Sequence, residues 1–157
     1  MTSLNLPFSK VTFIYNDFLS GCSGLKNIDF SKLTNVTQIS GNFLKGCTGL
    51  TSLDLSSMTK LYGVTPAFLE DTNITSLKIT CIPSFTDAFK VIQQLTELYI
   101  INENKSYQYD LRTVLNNYDV KSNLKIFVHE SQYDNYVSYC PDHKKHFYIY
   151  STSETRP

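Results

Sequence analysis

The stretch Phe18-Leu-Ser-Gly-Cys-Ser-Gly-Leu25 occurs again as Phe43-Leu-Lys-Gly-Cys-Thr-Gly-Leu50, and the two copies are identical at six of eight positions. The copies begin 25 residues apart, and Phe68 and Phe89 take the place of the first Phe in weaker copies that follow. A fixed period of about 20 to 50 residues is the signature of a repeat architecture. The period therefore predicts a solenoid, in which each copy packs against its neighbours and the array presents a long curved surface.

Short apolar-polar-apolar units recur in step with this period. They are Leu4-Asn-Leu6, Ile28-Asp-Phe30, Leu53-Asp-Leu55, Leu77-Lys-Ile79 and Leu98-Tyr-Ile100, at spacings of 24, 25, 24 and 21 residues. Such alternation predicts a short strand with one buried face, and stacked copies would place like residues about 4.8 Å apart in a parallel sheet. A sixth strand is predicted at 124–128. The sequence therefore predicts an α/β solenoid with about six short parallel strands.

The connections between these strands differ along the chain. The six glycines, at positions 21, 24, 41, 46, 49 and 63, are predicted to need positive φ or close backbone approach. Capped apolar periodicity predicts helices at 84–95 and 110–118 and a short helix starting at Ser131. We expect one domain over 1–157, comprising repeats (3–101), a helical excursion (102–122), the last strand with a C-terminal cap (123–150) and a frayed tail (151–157).

Composition excludes several classes of protein. Hydrophobic residues make up 41% of the chain and charged residues 18%, which excludes a disordered polypeptide. The 14 basic residues balance 14 acidic ones, so the net charge gives no reason to expect a nucleic acid or an anionic membrane as partner. The absence of a long apolar run predicts no membrane insertion. The first residues do not resemble a secretion signal, so we expect either an intracellular protein or, preferably, a piece of a longer one.

The segment from Phe43 to Leu55 closely resembles the BspA-like leucine-rich repeat, whose consensus carries Phe, a Gly-Cys pair, Leu and then a Leu-x-Leu strand. The segment 124–128, followed by Tyr133 and Tyr136, resembles that family's terminator, with His129 where Pro is common. The resemblance covers 3–150 and is tightest over 18–80. It implies a leucine-rich-repeat solenoid on a cell surface or secreted, binding host or cell-surface proteins in adhesion.

The outward face of the predicted sheet is the candidate binding surface, since solenoids bind partners on such faces. Alternation places the following residues there: Asn5, Asn27, Asp29, Ser52, Asp54, Lys78, Glu97, Tyr99, Lys125 and Phe127. Tyr99 and Phe127 are the residue type that anchors interfaces. A second interpretation is that these two aromatic side chains pack beneath the excursion at 102–118.

Other chemistry is less favoured by the sequence. Cys140, His143 and His146 have the spacing of half a metal site, and stacked Asp29 and Asp54 would suit calcium, but surface decoration is the preferred interpretation of both groups. Cys22 and Cys47 are expected to be buried thiols rather than a disulfide. No motif for nucleophilic or phosphate chemistry is present, so we expect neither an enzyme nor a cofactor.

The main alternative to a binding module is a structural component. Leu4 and Leu6 begin the repeats without an N-terminal cap, and an uncapped end exposes core. The sequence therefore also permits self-association through the first repeat, which would stack on another subunit or on further repeats.

Overall fold

The computed structural model describes residues 3–5, 10–64, 68–80, 94–101, 111 and 123–150. Its elements, in chain order, are β1 (Ser3–Asn5), β2 (Phe13–Ile14), β3 (Asn27–Asp29), β4 (Gln38–Ile39), β5 (Ser52–Asp54), β6 (Gly63–Val64), β7 (Ser76–Ile79), β8 (Glu97–Ile100), β9 (Lys125–His129), α1 (Glu130–Tyr139), a 3-10 helix (Pro141–His146) and β10 (Phe147–Tyr150). The fold is α/β with parallel strands, in agreement with the sequence prediction.

The strands form three sheets, in which every pair is parallel. One sheet has five strands in the order β10-β9-β8-β7-β5, a second pairs β1 with β3, and a third has the order β2-β4-β6. All six predicted strands are present. The structure adds a seventh, because the apolar run Phe147–Tyr150, which was expected to belong to the cap, pairs in parallel with β9.

The strands β2, β4 and β6 were not predicted. Each has only two residues, too few to show alternation, but they recur at the repeat period: Phe13 pairs with Gln38, and Gln38 pairs with Gly63. A second alignment of the repeat, Val11-Thr-Phe-Ile14 with Val36-Thr-Gln-Ile39, carries the signal. These strands give each copy a second ladder of hydrogen bonds, separate from that of the longer strands.

The core consists of like residues stacked from copy to copy. Leu53, Leu77, Leu98 and Ile126 lie side by side in register, and each is at most 3% exposed. Burying a Leu or Ile side chain contributes about 1.5–3 kcal/mol relative to leaving it in water. One copy alone cannot bury these side chains, so the stacking of neighbouring copies is what stabilises the fold.

Three leucines one period apart have the left-handed backbone conformation. Leu19, Leu44 and Leu69 have φ of 55°, 55° and 60°, although this region costs a residue other than glycine about 1–2 kcal/mol. Hydrogen bonds between copies hold it in place: the N–H of Leu44 donates to the carbonyl of Phe18 at 3.0 Å, and that of Leu69 to Phe43 at 3.1 Å. The neighbouring copy therefore fixes a conformation that the residue itself disfavours.

The predicted need for glycine is met in two ways. Gly21 and Gly46 have φ of 75° and 70°. Gly49 has ordinary dihedrals, but an added Cβ would lie 2.6 Å from the carbonyl oxygens of both Ser23 and Leu25. Glycine is thus required at position 49 by the close approach of the preceding copy.

The C-terminal region begins its helix one residue before the predicted start. α1 begins at Glu130, and His129 caps it: Nδ1 accepts a hydrogen bond from the N–H of Ser131 at 3.2 Å. Ser131 had been expected to open the helix. The predicted helices at 84–95 and 110–118, the excursion and the tail fall almost wholly outside the described residues; Leu111 is helical and buried.

Candidate functional site

The outward side of the five-stranded sheet brings residues from all five strands into two rows, here called the outer face. In the first row Asp54 pairs with Lys78, and Tyr99, Phe127 and Tyr148 follow strand by strand. The second row consists of Ser52, Ser76, Glu97 and Lys125 in the same register. The residues of β7 and β8 that alternate with these are fully buried, so the strands' pleat exposes one side only.

The first row ends in an aromatic stack. The rings of Tyr99 and Phe127 lie 4.4 Å apart with an interplanar angle of 8°, and those of Phe127 and Tyr148 lie 5.6 Å apart at 36°. Cross-strand aromatic pairs of this kind contribute about 0.5–1.5 kcal/mol beyond burial. Tyr148 was missed by the sequence analysis; its signal is the register of β10 on β9, which the residue alternation does not reveal. The three side chains form one apolar patch on the outer face.

Lys78 joins this patch to the acidic end of the row. Its Nζ lies 5.8 Å from the centroid of the Tyr99 ring and 3.9 Å from a carboxylate oxygen of Asp54. The Tyr99 hydroxyl in turn lies 3.4 Å from a carboxylate oxygen of Glu97. Such exposed ion pairs are worth about 0–1 kcal/mol, so they set orientation more than stability.

The predicted residues nearer the N-terminus form a separate group. Asn5 pairs with Asp29 in the two-stranded sheet, where Asn27 and Asp29 are exposed. Asp29 accepts a hydrogen bond from the N–H of Ser31 at 2.8 Å, and this bond, with the Ser31 hydroxyl, lowers the pKa of the carboxyl group. Asp54 makes the corresponding bond to its own turn. Both carboxylates close the turn after their strand, which is a structural use of their oxygens.

The cysteine and histidine candidates do not form a metal centre. Across the described ranges no group of three or more His, Cys, Asp and Glu side chains is placed to hold a metal ion. His146 is buried, and its Nδ1 lies 2.8 Å from the carbonyl oxygen of Leu124, so the ring contributes to packing. The rings of His143 and His146 are 6.1 Å apart.

Cys22 and Cys47 are free thiols in the structure, as is Cys140. The Cys47 thiol is completely buried and donates to the carbonyl of Leu19 at 3.1 Å. Burial raises the pKa of this thiol, which disfavours the reactive thiolate. The thiol therefore acts as a small packing group between two copies of the repeat.

A second surface feature lies at the β2 end of the three-stranded sheet, where the sequence analysis had expected no pocket. An open apolar pocket of about 260 Å³ is lined by Val11, Phe13, Ile14, Tyr15, Asn16, Phe18 and Leu33. Tyr15 at its mouth is 76% exposed and contacts the Phe13 ring at a centroid distance of 4.7 Å. This pocket lies on a different sheet from the outer face.

No family model, curated protein or solved structure matches the chain. No helix among the described residues is long and apolar enough to cross a membrane. The functional argument therefore depends on the repeat pattern and on the geometry of the outer face.

Proposed function

We propose that the chain is a leucine-rich-repeat solenoid of the BspA-like kind and acts as a non-enzymatic binding module for a protein on a cell surface or host. The outer face, with its apolar patch, is the contact surface. The observation that carries the proposal is the aromatic stack of Tyr99, Phe127 and Tyr148, which ends a row that begins with charged side chains.

The chemistry of this row suits a protein partner. Aromatic side chains surrounded by polar ones are the arrangement in which a few residues supply most of the binding free energy. The rings stack on each other, so their edges are available to an incoming side chain, while Glu97 and Lys125 lie beside them in the second row. The partner would set its apolar residues on the aromatic patch and its polar groups on the charges.

The test compares matched variants against cell-surface and extracellular proteins. Captured candidates are crosslinked to the whole chain, and affinity for each is measured with the wild type and with Phe127→Ala and Lys78→Glu. We expect at least about 10-fold weaker binding for each variant, the loss typical of an interface anchor. Tyr62→Ala, at an exposed tyrosine (61%) outside the five-stranded sheet, is the control and should bind normally. Equal binding by all three variants would reject the outer face as the contact surface.

A structural role for the first repeat is the second candidate, and the apolar pocket favours it. Tyr15 exposes more of its side chain than any other large hydrophobic residue described, and the pocket beside it is almost entirely apolar. Another subunit or further repeats stacking there would cover this surface. Tyr15→Lys should then abolish assembly and leave the outer face intact; unchanged assembly by light scattering would exclude the role.

A further inference from the structure

The strand β10 occupies one end of the five-stranded sheet, and no strand of the described part of the chain pairs with its other side. Its four residues, Phe-Tyr-Ile-Tyr, carry no charge. Proteins usually protect such an edge with a charged side chain, a proline or a bulge, because unpaired N–H and C=O groups are a template for another strand. The absence of these devices marks the edge as a docking surface.

Two rows of apolar side chains reach this edge and stop there with their last members exposed. On the inward side, Ile149 pairs with Val128; Val128 is fully buried between its neighbours, whereas Ile149 is 50% exposed. On the outward side, Tyr148 is 42% exposed beyond Phe127. One further strand beside β10 would cover both side chains at once.

We propose that this further strand is β10 of a second copy of the chain, which pairs antiparallel around a two-fold axis at Tyr148. In that register Tyr148 lies opposite itself and extends the aromatic stack across the axis. Phe147 then lies opposite Ile149 on the inward side, so a larger side chain meets a smaller one at both places. The strand is complementary to itself in this arrangement, which a closed two-fold interface requires.

Electrostatics does not oppose this pairing. The four-residue strand brings no like charges together, and the formal net charge of the chain is zero, so two copies do not repel at pH 7. A strand of four residues buries less than the area of a standard interface, so the dimer is weak, with a dissociation constant of roughly 10 μM to 1 mM.

The test is sedimentation velocity on the whole chain over about 10 μM to 1 mM, the range in which such a dimer would form. We expect the average mass to rise toward twice the monomer mass. Ile149→Lys introduces the missing edge charge at a half-exposed position and should keep the chain monomeric throughout. Tyr62→Lys, which adds the same charge on another sheet, is the matched control and should associate like the wild type. Circular dichroism establishes that each variant is folded.

A second measurement fixes the register. Tyr148→Cys should form a disulfide with itself across the axis under mild oxidation, identified by peptide mapping, since opposed Cβ atoms in an antiparallel pair are about 4.5–5.5 Å apart. Lys144→Cys is the control and should not crosslink in this way.

Three outcomes would overturn the proposal: a constant monomer mass over the whole range, association that persists in folded Ile149→Lys, or loss of association only in Tyr15→Lys, which would assign it to the pocket. Ile149 lies on the inward side of its strand, so its variant leaves the outer face unchanged. Failure here is therefore separate from failure of the proposed binding function.

Discussion

Replacement of Phe43 by alanine should destabilise the chain more than any exposed substitution, because Phe43 lies at the centre of the aromatic core. Its side chain is completely buried, and its ring centroid is 5.9 Å from Phe18, 5.7 Å from Phe30 and 5.4 Å from Phe68. Truncation of a buried Phe to Ala typically costs about 3–5 kcal/mol, from lost burial and the cavity that remains. For a domain of this length that corresponds to a decrease in melting temperature of roughly 6–20 °C.

Urea denaturation followed by circular dichroism measures the change in the free energy of unfolding, and a thermal melt gives the second value. Phe13→Ala is the matched control: Phe13 is only partly buried, with one ring partner, Tyr15, at 4.7 Å. We expect a cost near 1 kcal/mol there, the usual value for a partly exposed site. A loss below about 1.5 kcal/mol for Phe43→Ala, or equal losses in the two variants, would show that stacking between copies is not what holds this region.

Three further predictions concern single positions. Gly49→Ala should destabilise the chain by about 1–3 kcal/mol, because its Cβ meets two backbone oxygens at 2.6 Å, whereas Gly63→Ala, which approaches only a flexible side chain, should be nearly neutral in urea denaturation. The pKa of Asp29 is lowered, so its contribution to stability is complete above the unfolded pKa and is lost as pH falls through the folded one, below about pH 4; Ser31→Ala should raise that pKa partway in an NMR titration, and an unchanged value would contradict the assigned cause. Cys47 should react with iodoacetamide much more slowly in the folded chain than in urea, and equal rates would show that the thiol is not buried.

The long strands were predictable because burial of one sheet face imposes a period of two on residues such as Leu77-Lys-Ile79. The strand β10 was not recognised, since Phe147–Tyr150 is apolar at every position and alternation is therefore invisible. The strands β2, β4 and β6 were missed because two residues carry no periodicity of their own. The left-handed leucines were also unpredictable, because hydrogen bonds from the neighbouring copy override the intrinsic preference of Leu19 and its equivalents.

The candidate site was predictable at the level of the row, and less so at the level of contacts. Alternation correctly puts Lys78 beside Asp54 and Tyr99 beside Phe127. The sequence did not reveal that Tyr148 completes the stack, because that depends on how β10 returns to β9. Nor did it reveal that Asp54 is bonded to its own turn, which depends on local dihedral angles rather than on the pattern of burial.

The register of the long strands also bears on how the chain acquires its structure during synthesis. Each paired residue finds its partner between 21 and 28 residues away in the sequence, in every sheet. The entropy of closing each loop is therefore nearly the same, and no pairing waits for a distant part of the chain. A polypeptide emerging from the ribosome can add one copy at a time to those already folded, so elongation and folding can proceed together in the same direction.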